Sequence, residues 1–600
     1  VTDWPPPDWE RRFRARRVAL PDWATLNPDR AVVVATAGGV QQVHSWTPSA
    51  QRMVRATDRP QGTTEALIDP RGDWVWWFDD TDGNEHGVWR RQPFDSPAQT
   101  RTQRPIALPA AYDAGLLLAA DGTAVIGRSD ESYGTQIHAV YVGPVSAGTE
   151  PRLLYAHRQD AEVAALSQDG NLVAIEHSER GDSIHPALRV LRVDTGAPVA
   201  ELDDGPGLGL WALAFAPRPG DTRLLVSHER TGYARLMIWD VATSLLRPLD
   251  LGLPGDVADA HWYPDCRSVL VAIDHEARTL LYRYDLADGS VRQVGSAIGT
   301  VSAATARPDG DVWVARSSAG EPREVISGRS GQALVQLSGS WVPPSVGVED
   351  VWADGPGGRI HALLRRPPGV SAPCPVVVDV HGGPSAHDSD SFSPYAAAWV
   401  DHGYAVLSVN YRGSTGYGSA WRDALTGQVG HTELADIAAV HEALCAEGVL
   451  DRDRSILAGA SWGGYLVLLG LGIQPERWRL GLAGVPVADY EAAYADETES
   501  LKAFDRSLFG GSPAEAPEAY RRSSPLTYVG QVAAPVLILA GKNDPRCPLR
   551  QIENYVGMLR EHGGTVELDT YDAGHSSMVD DERVRQMHLE LDFVARHLGG

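Results

Sequence analysis

The residues best suited to chemistry in this chain are a serine, an aspartate and a histidine, each placed beside glycine or at the end of an apolar run. Ile456-Leu457-Ala458 leads into Gly459-Ala460-Ser461-Trp462-Gly463-Gly464, a Gly-x-Ser-x-Gly sequence between a short apolar run and a helix-like segment. A serine on a sharp strand-to-helix turn carries this signature, because small flanking residues permit close backbone approach. A glycine-rich turn with an incidental serine would look the same, so the partners decide. A hydroxyl is a weak nucleophile that needs a base, and the base needs an orienting carboxylate. Val536–Ala540 runs into Gly541-Lys542-Asn543-Asp544, and the run ending at Tyr571 continues as Asp572-Ala573-Gly574-His575. Asp544 is preferred to Asp572 as the carboxylate, since it ends a different strand and can approach the imidazole from the side. The oxyanion of such a reaction needs backbone N–H donors. The amide of Trp462 is one, and the turn His381-Gly382-Gly383-Pro384 after an apolar strand can present another. The chemistry implied is acyl transfer to water through an acyl-serine, and it calls for no metal or organic cofactor.

These residues must be held by the second half of the chain. Pro375–Val380, Ala405–Val409, Ser455–Ala458, Leu480–Val485, Pro535–Ala540 and Thr565–Tyr571 read as buried strands. Glu433–Glu447, Trp462–Leu471, Pro548–Glu561 and Arg583–Leu598 have helical spacing, and Val348–Leu364 reads as a hairpin. Strands alternating with helices predict a mostly parallel, doubly wound sheet. An elbow serine between strand and helix, followed by Asp and then His, fits the α/β-hydrolase arrangement for residues 345–600.

The first half repeats. Turns at Pro28-Asp29, Pro70-Arg71-Gly72, Asp121-Gly122, Asp169-Gly170, Pro219-Gly220, Pro264-Asp265 and Pro308-Asp309-Gly310 each precede a β-branched or aromatic run. A period of roughly 43–50 residues suits one four-stranded blade per repeat. The expectation is a seven-bladed β-propeller over residues 25–344, preceded by a segment, 1–24, with a short amphipathic helix. The polar strand-end residues Glu176, Glu179, Arg180, Glu229 and Arg230 are candidates for the central channel or for ordinary solvated turns.

Composition sets the outer bounds. Six hundred residues exceed one hydrophobic core. A net charge of −25 argues against sequence-independent nucleic-acid binding, which needs clustered positive charge. Four cysteines without metal-ligand spacing read as free thiols of a reducing compartment. With no apolar signal core and no membrane-length run, the expected location is cytoplasmic, away from any membrane.

Together, His381-Gly382-Gly383-Pro384, Asn410-Tyr411-Arg412-Gly413-Ser414-Thr415-Gly416-Tyr417-Gly418, the Gly459–Tyr465 elbow, Asn543-Asp544-Pro545-Arg546 and Gly574-His575 resemble the prolyl oligopeptidase family of serine peptidases. Within it they resemble the acylaminoacyl-peptidase and dipeptidyl-aminopeptidase-like branch. The resemblance implies Ser461, Asp544 and His575 as a triad, and Arg546 reaching a substrate carbonyl on the acyl side. It points to Tyr490, Leu501 and Phe504 as pocket residues and to an amino-terminal helix packed on the hydrolase domain. Two positions depart from the family pattern: Trp462 stands where tyrosine is usual, and His381 where some branches carry a tyrosine hydroxyl for the oxyanion. The second oxyanion donor is then a backbone amide, assigned to Gly383. No assured paired-glutamate motif for a free amino terminus is evident, so a broad aminoacyl- or acyl-peptide substrate is favoured over a strictly dipeptidyl one. The expected partners are short peptides or small amides, with a homo-oligomer implied only by analogy. A small-molecule amidase or esterase with the same triad, and a non-catalytic propeller platform, are the rival readings.

Overall fold

The computed structural model describes residues 7–143, 150–295, 299–336 and 341–599; residues 1–6 of the amino-terminal segment lie outside the described residues. In the first half, tight turns alternate with strands, and neighbours in sequence are neighbours in space, giving consecutive antiparallel meanders. Four are four-stranded sheets, beginning at Asp22, Ala161, Leu210 and Asp256, and one of three strands begins at Thr300. Between Ala66 and His157, two meanders are fused into one seven-stranded sheet by a short ladder, His86 opposite Tyr112 and Gly87 opposite Ala111.

The apolar side chains pack between successive meanders. Val75 and Trp77 cluster with Val32 and Val43. Leu116 and Ile126 cluster with Trp76 and Phe78, and Val312 and Val314 with Leu270 and Leu281. The series closes on itself, because Trp313 and Ala315 of the last meander share a cluster with Val33 and Trp46 of the first. The two tryptophan rings lie 5.4 Å apart. Burial on both faces explains why these strands are rich in Val, Ile, Leu and Trp with weak alternation.

The first meander starts earlier than the boundary expected at residue 25. Asp22 and Trp23 pair with Val32 and Ala31, and Val18 bridges to Ala35. A two-residue strand is too short to show a period; what fixes it is Trp23, whose indole donates to Thr305 Oγ1 at 3.1 Å. Before it, the helix Asp8–Phe13 buries Trp9 and Phe13 against Trp399, Val584 and Met587 of the second half. Arg12 adds donors to the carbonyls of Pro343 and Pro344 at 3.1 and 2.8 Å.

The second half is built on an eight-stranded sheet: β1 (Glu349–Gly355), β2 (Gly358–Arg365), β3 (Cys374–Val380), β4 (Ala405–Asn410), β5 (Leu450–Ala460), β6 (Leu480–Gly484), β7 (Val536–Gly541) and β8 (Val566–Tyr571). Its order is β1-β2-β4-β3-β5-β6-β7-β8. The β1–β2 and β2–β4 pairs are antiparallel, and every later pair is parallel. The pleat divides each strand between two cores. Val376 and Val378 join helices His431–Ala446, Trp462–Ile473 and Leu549–Glu561. Val377 faces Pro394–Asp401 and Asp580–Leu598. Parallel strands need crossovers, so the loops at their carboxyl ends converge on one edge, where β5 delivers Ser461.

Between β6 and β7 lies an insertion for which the sequence suggested no helices: Tyr490–Asp496, Glu499–Phe509 and Pro517–Ser523. The segments are short and rich in acidic and small residues, so no long apolar stripe marks them. The first two carry Tyr490, Leu501, Phe504 and Asp505 to the site.

An ion pair fixes the loop after β4. The Arg412 side chain grips the fully buried Asp436 carboxylate, with Nη2 2.7 Å from Oδ1, and the Arg412 amide donates to the same group at 2.9 Å. Removing one member strands the other's charge. Asp436→Ala is therefore expected to cost about 3–5 kcal/mol in denaturant unfolding; a loss below about 1 kcal/mol would show that the arginine escapes to water.

Candidate active site

Ser461 sits between the end of β5 and the first residue of helix Trp462–Ile473, with φ 58° and ψ −120°. A left-handed φ is uncommon for a residue with a side chain and costs of order 1–3 kcal/mol, so surrounding packing must enforce it. The Ser461 amide donates to Gly484 O at 2.8 Å, and its carbonyl accepts from the Tyr465 amide at 2.9 Å. The helix can turn back so sharply because position 463 is glycine: a Cβ there would lie 2.0 Å from Val380 O.

The other two residues come from the ends of β7 and β8. His575 Nδ1 lies 2.8 Å from Asp544 Oδ2. Asp544 Oδ1 accepts from the amides of Arg546 and Cys547 at 2.8 and 3.0 Å. The aspartate side chain is wholly buried. A buried carboxylate with two backbone donors accepts from the imidazole and so holds the ring with a proton on Nδ1. Asp572 points elsewhere, bonding Lys542 Nζ at 2.7 Å on the surface. Cys547 Sγ lies close to the Asp544 and His575 ligand atoms, a grouping that could hold a metal ion. Burial, reinforced by Asp544, raises the thiol well above its usual range, so it stays protonated in the metal-free site.

The residues singled out from sequence converge. Ser461, Trp462, Gly383, Tyr490, Leu501, Phe504 and Arg546 all line one cavity of about 310 Å³. His575 lines an adjoining cavity of about 590 Å³, which shares Ser500, Leu501 and Arg546 with the first. The Trp462 amide, in the first helical turn, has no carbonyl four residues earlier in the helix to receive it. Gly383 has φ 127°, open to glycine alone. His381 is half-buried, and desolvation pushes it down to about 4, so it is neutral. It stacks on Tyr411 with 4.2 Å between centroids, and Nε2 meets Ser414 Oγ at 2.8 Å. It shapes this turn as a packing residue. Tyr490 is almost completely buried among Tyr465, Phe509 and Tyr520 and forms the pocket's back wall.

Several partners were not visible in the sequence. Arg546 is engaged by Glu85 of the first half, with Nε to Oε1 at 2.8 Å. The loop carrying Glu85 lies on the histidine loop so closely that a Cβ on Gly574 would fall 1.8 Å from Gly83 O. Asp160 and Ser183 of the first half, and Glu497 and Asp505 of the insertion, also line the serine's cavity. Glu433 receives the Trp462 indole N–H at 3.2 Å, the acceptor that tryptophan at this position requires.

Burial pushes Glu433 up to about 8 from an ordinary value of 4.5. Between those values the folded chain holds a proton that the unfolded chain has released, so this group makes stability fall as pH rises through the window. Glu433→Gln is expected to raise Tm over wild type by about 2–4 °C at pH 8, the shift given by ~1 kcal/mol in a domain of this size. The gain should vanish near pH 4.5. Thermal unfolding at the two pH values checks it, and a constant offset would show that Glu433 does not titrate there.

A mostly parallel sheet that presents a strained serine at a strand–helix elbow, behind a closed series of antiparallel meanders, defines the class: an α/β-hydrolase domain joined to a β-propeller. Residues 390–600 match the family model described as the prolyl oligopeptidase family, whose members are serine-type peptidases, so this part of the chain is similar to them. It is 27% identical to dipeptidyl aminopeptidase BIII of Pseudoxanthomonas mexicana, over 96% of this chain and 88% of that one. It is 32% identical to dipeptidyl peptidase family member 6 of Caenorhabditis elegans, over 41% of this chain; that match spans 34% of the relative, about a third of its length. The crystal structure of puromycin hydrolase superposes with a TM-score of 0.83 at 21% identity, covering 99% of this chain and 97% of the other.

Proposed function

We propose that the chain hydrolyses short peptides at or near their amino terminus, with Ser461, Asp544 and His575 as the triad. The observation that carries this reading is the strained Ser461 opening on the cavity that adjoins the Asp544–His575 pair. His575 Nε2 takes the serine proton as Oγ adds to the substrate carbonyl carbon. The oxyanion is received by the amides of Trp462 and Gly383. The imidazolium returns the proton to the leaving amine as the C–N bond breaks, and water, deprotonated by the same nitrogen, releases the acyl group. Arg546, at the junction of the two cavities, is placed to exchange Glu85 for a substrate carbonyl.

The first half is read as seven blades, supported by the apolar clusters between successive meanders and the Trp46–Trp313 closure. With Glu85, Asp160 and Ser183 against the cavities, the ring limits entry to short chains. Among the described residues no helix is long and apolar enough to cross a membrane. A cytoplasmic setting and a homo-oligomer are extensions of the family likeness.

A panel of free aminoacyl, acetyl-aminoacyl and dipeptidyl chromogenic amides, with a simple acyl ester beside them, tests the reading. Turnover of one amide class is expected, and that class names the substrate end. An ester cleaved while every amide stays inert would replace the peptidase reading with a small-molecule esterase.

A further inference from the structure

The Asp544–His575 pair has a third ligand-bearing neighbour that the mechanism above does not use. Asp544, Cys547 and His575 each present one ligand atom, and the three atoms lie within 4.8 Å of one another. Asp544 and Cys547 are 6% and 4% exposed. Among the described residues no hydrogen bond occupies the Cys547 thiol, while the other three thiols each have a partner. Cys266 rests on Pro264 O at 3.9 Å, Cys374 on Ser371 O at 3.8 Å and Cys445 on His441 Nε2 at 3.5 Å. Cys547 also lines the cavity that holds Ser461, so an ion arriving there meets the sulfur directly.

One carboxylate oxygen, one sulfur and one imidazole nitrogen form a mixed set that zinc-like cations accept, with bonds of about 2.0–2.3 Å. Tetrahedral bonds of that length put neighbouring ligand atoms about 3.5 Å apart, so a small movement of the half-buried imidazole closes the set. Asp544 Oδ1 is already fixed by the amides of Arg546 and Cys547, which leaves Oδ2 for a metal. A dication against a carboxylate and a thiolate gives a neutral centre, so the penalty that burial puts on a lone charge falls away. Magnesium and calcium take oxygen ligands, and this set disfavours them.

We propose that Asp544, Cys547 and His575 form an inhibitory site for a zinc-like divalent cation, bound through Asp544 Oδ2, Cys547 Sγ and His575 Nδ1. A coordinating thiol gives up its proton, which leaves to solvent. The metal takes the Nδ1 lone pair, so the ring proton moves from Nδ1 to Nε2. The inhibition rests on His575 being the base for Ser461: once Nε2 carries a proton, nothing receives the one from the serine.

The test follows fluorophosphonate labelling of Ser461 and hydrolysis of whichever amide the wild type cleaves, against buffered free Zn²⁺ and Cd²⁺. Wild type is compared with Cys547→Ala, Cys547→Ser and Cys445→Ala, the last removing the rival thiol–imidazole pair. Both ions should slow both reactions in wild type and in Cys445→Ala, reversibly with EDTA, while Mg²⁺ and Ca²⁺ should not. The inhibition constant should rise by on the order of 100-fold or more in the Cys547 variants, since even the partners behind metal ligands are worth 10- to 100-fold. The ultraviolet band of cadmium–thiolate, read in Ser461→Ala, needs no turnover; it should saturate at one equivalent of Cd²⁺ and vanish when Cys547→Ala or Cys547→Ser is added. No inhibition of wild type, inhibition undiminished in the Cys547 variants, inhibition lost in Cys445→Ala, or no band that depends on Cys547 overturns the site. A Cys547-dependent band with labelling unslowed would overturn His575 as the base and leave the ligand set standing, which is a separable result.

Discussion

Ser461→Ala is expected to lower kcat on any amide that the wild-type chain cleaves by about 10⁶-fold, with KM little changed, as in other serine hydrolases stripped of the nucleophile. Among the described residues the hydroxyl takes part in no hydrogen bond that holds the elbow: those contacts are made by the Ser461 amide to Gly484 and by its carbonyl to Tyr465. The variant should therefore match wild type in Tm while losing fluorophosphonate labelling completely. Retention of more than about a hundredth of the activity, far above the residual rate that binding and an oxyanion site sustain, would mean that another group attacks the substrate.

Asp544→Asn should be nearly as damaging, about 10⁴-fold in kcat, for a different reason. Asparagine keeps the shape and can still accept from the Arg546 and Cys547 amides. Its amide N–H₂, however, placed against His575 Nδ1, favours the tautomer with the proton on Nε2, the nitrogen that must serve as base. Asp572→Asn is the matched control. Among the described residues its carboxylate bonds only the exposed Lys542, and activity within about twofold of wild type is expected, as for surface changes generally. If the two variants changed places, the choice of orienting carboxylate would be wrong. A rate that recovers at alkaline pH in Asp544→Asn alone would further identify the tautomer as the cause.

How far these residues were legible depended on how local their causes are. The elbow could be read because its glycines answer to a contact fixed by the turn itself, Gly463 against Val380. The order of strand ends carrying Asp544 and His575 could be read because Asp544 follows an apolar run ended by Gly541, and His575 follows a strand-like run with Gly574 beside it. The meanders showed through their turn residues, yet the start at Asp22 did not, since a two-residue strand has no period and depends on Trp23 reaching Thr305. The pairing of Arg546 with Glu85 joins positions 461 apart in sequence and has no local signal. Asp505 carries no signal in the sequence, where no helix is expected over this insertion. Only the folding of that helix over the serine buries it.

The chain enters the ring just after the helix Asp8–Phe13 and leaves it just before β1, and Arg12 ties these two crossings together through the carbonyls of Pro343 and Pro344. The ring is thus covalently tethered along a single edge, next to the junction of its first and last meanders. The middle meanders, across the ring, meet the hydrolase domain through several polar contacts, among them Glu229 with Arg422, His185 with Asp423 at 3.1 Å, and Ser183 with Ser507 at 2.9 Å. Burial pulls His185 down, but Asp182 and Asp423 outweigh it and lift the imidazole to about 9. The molecule is a clasp with a permanent hinge on one side and an ionic catch on the other. Salt, which screens such pairs, and alkali, which discharges His185, both act on the catch, whereas the covalent links of the hinge survive either, so the two domains would part at the catch edge first.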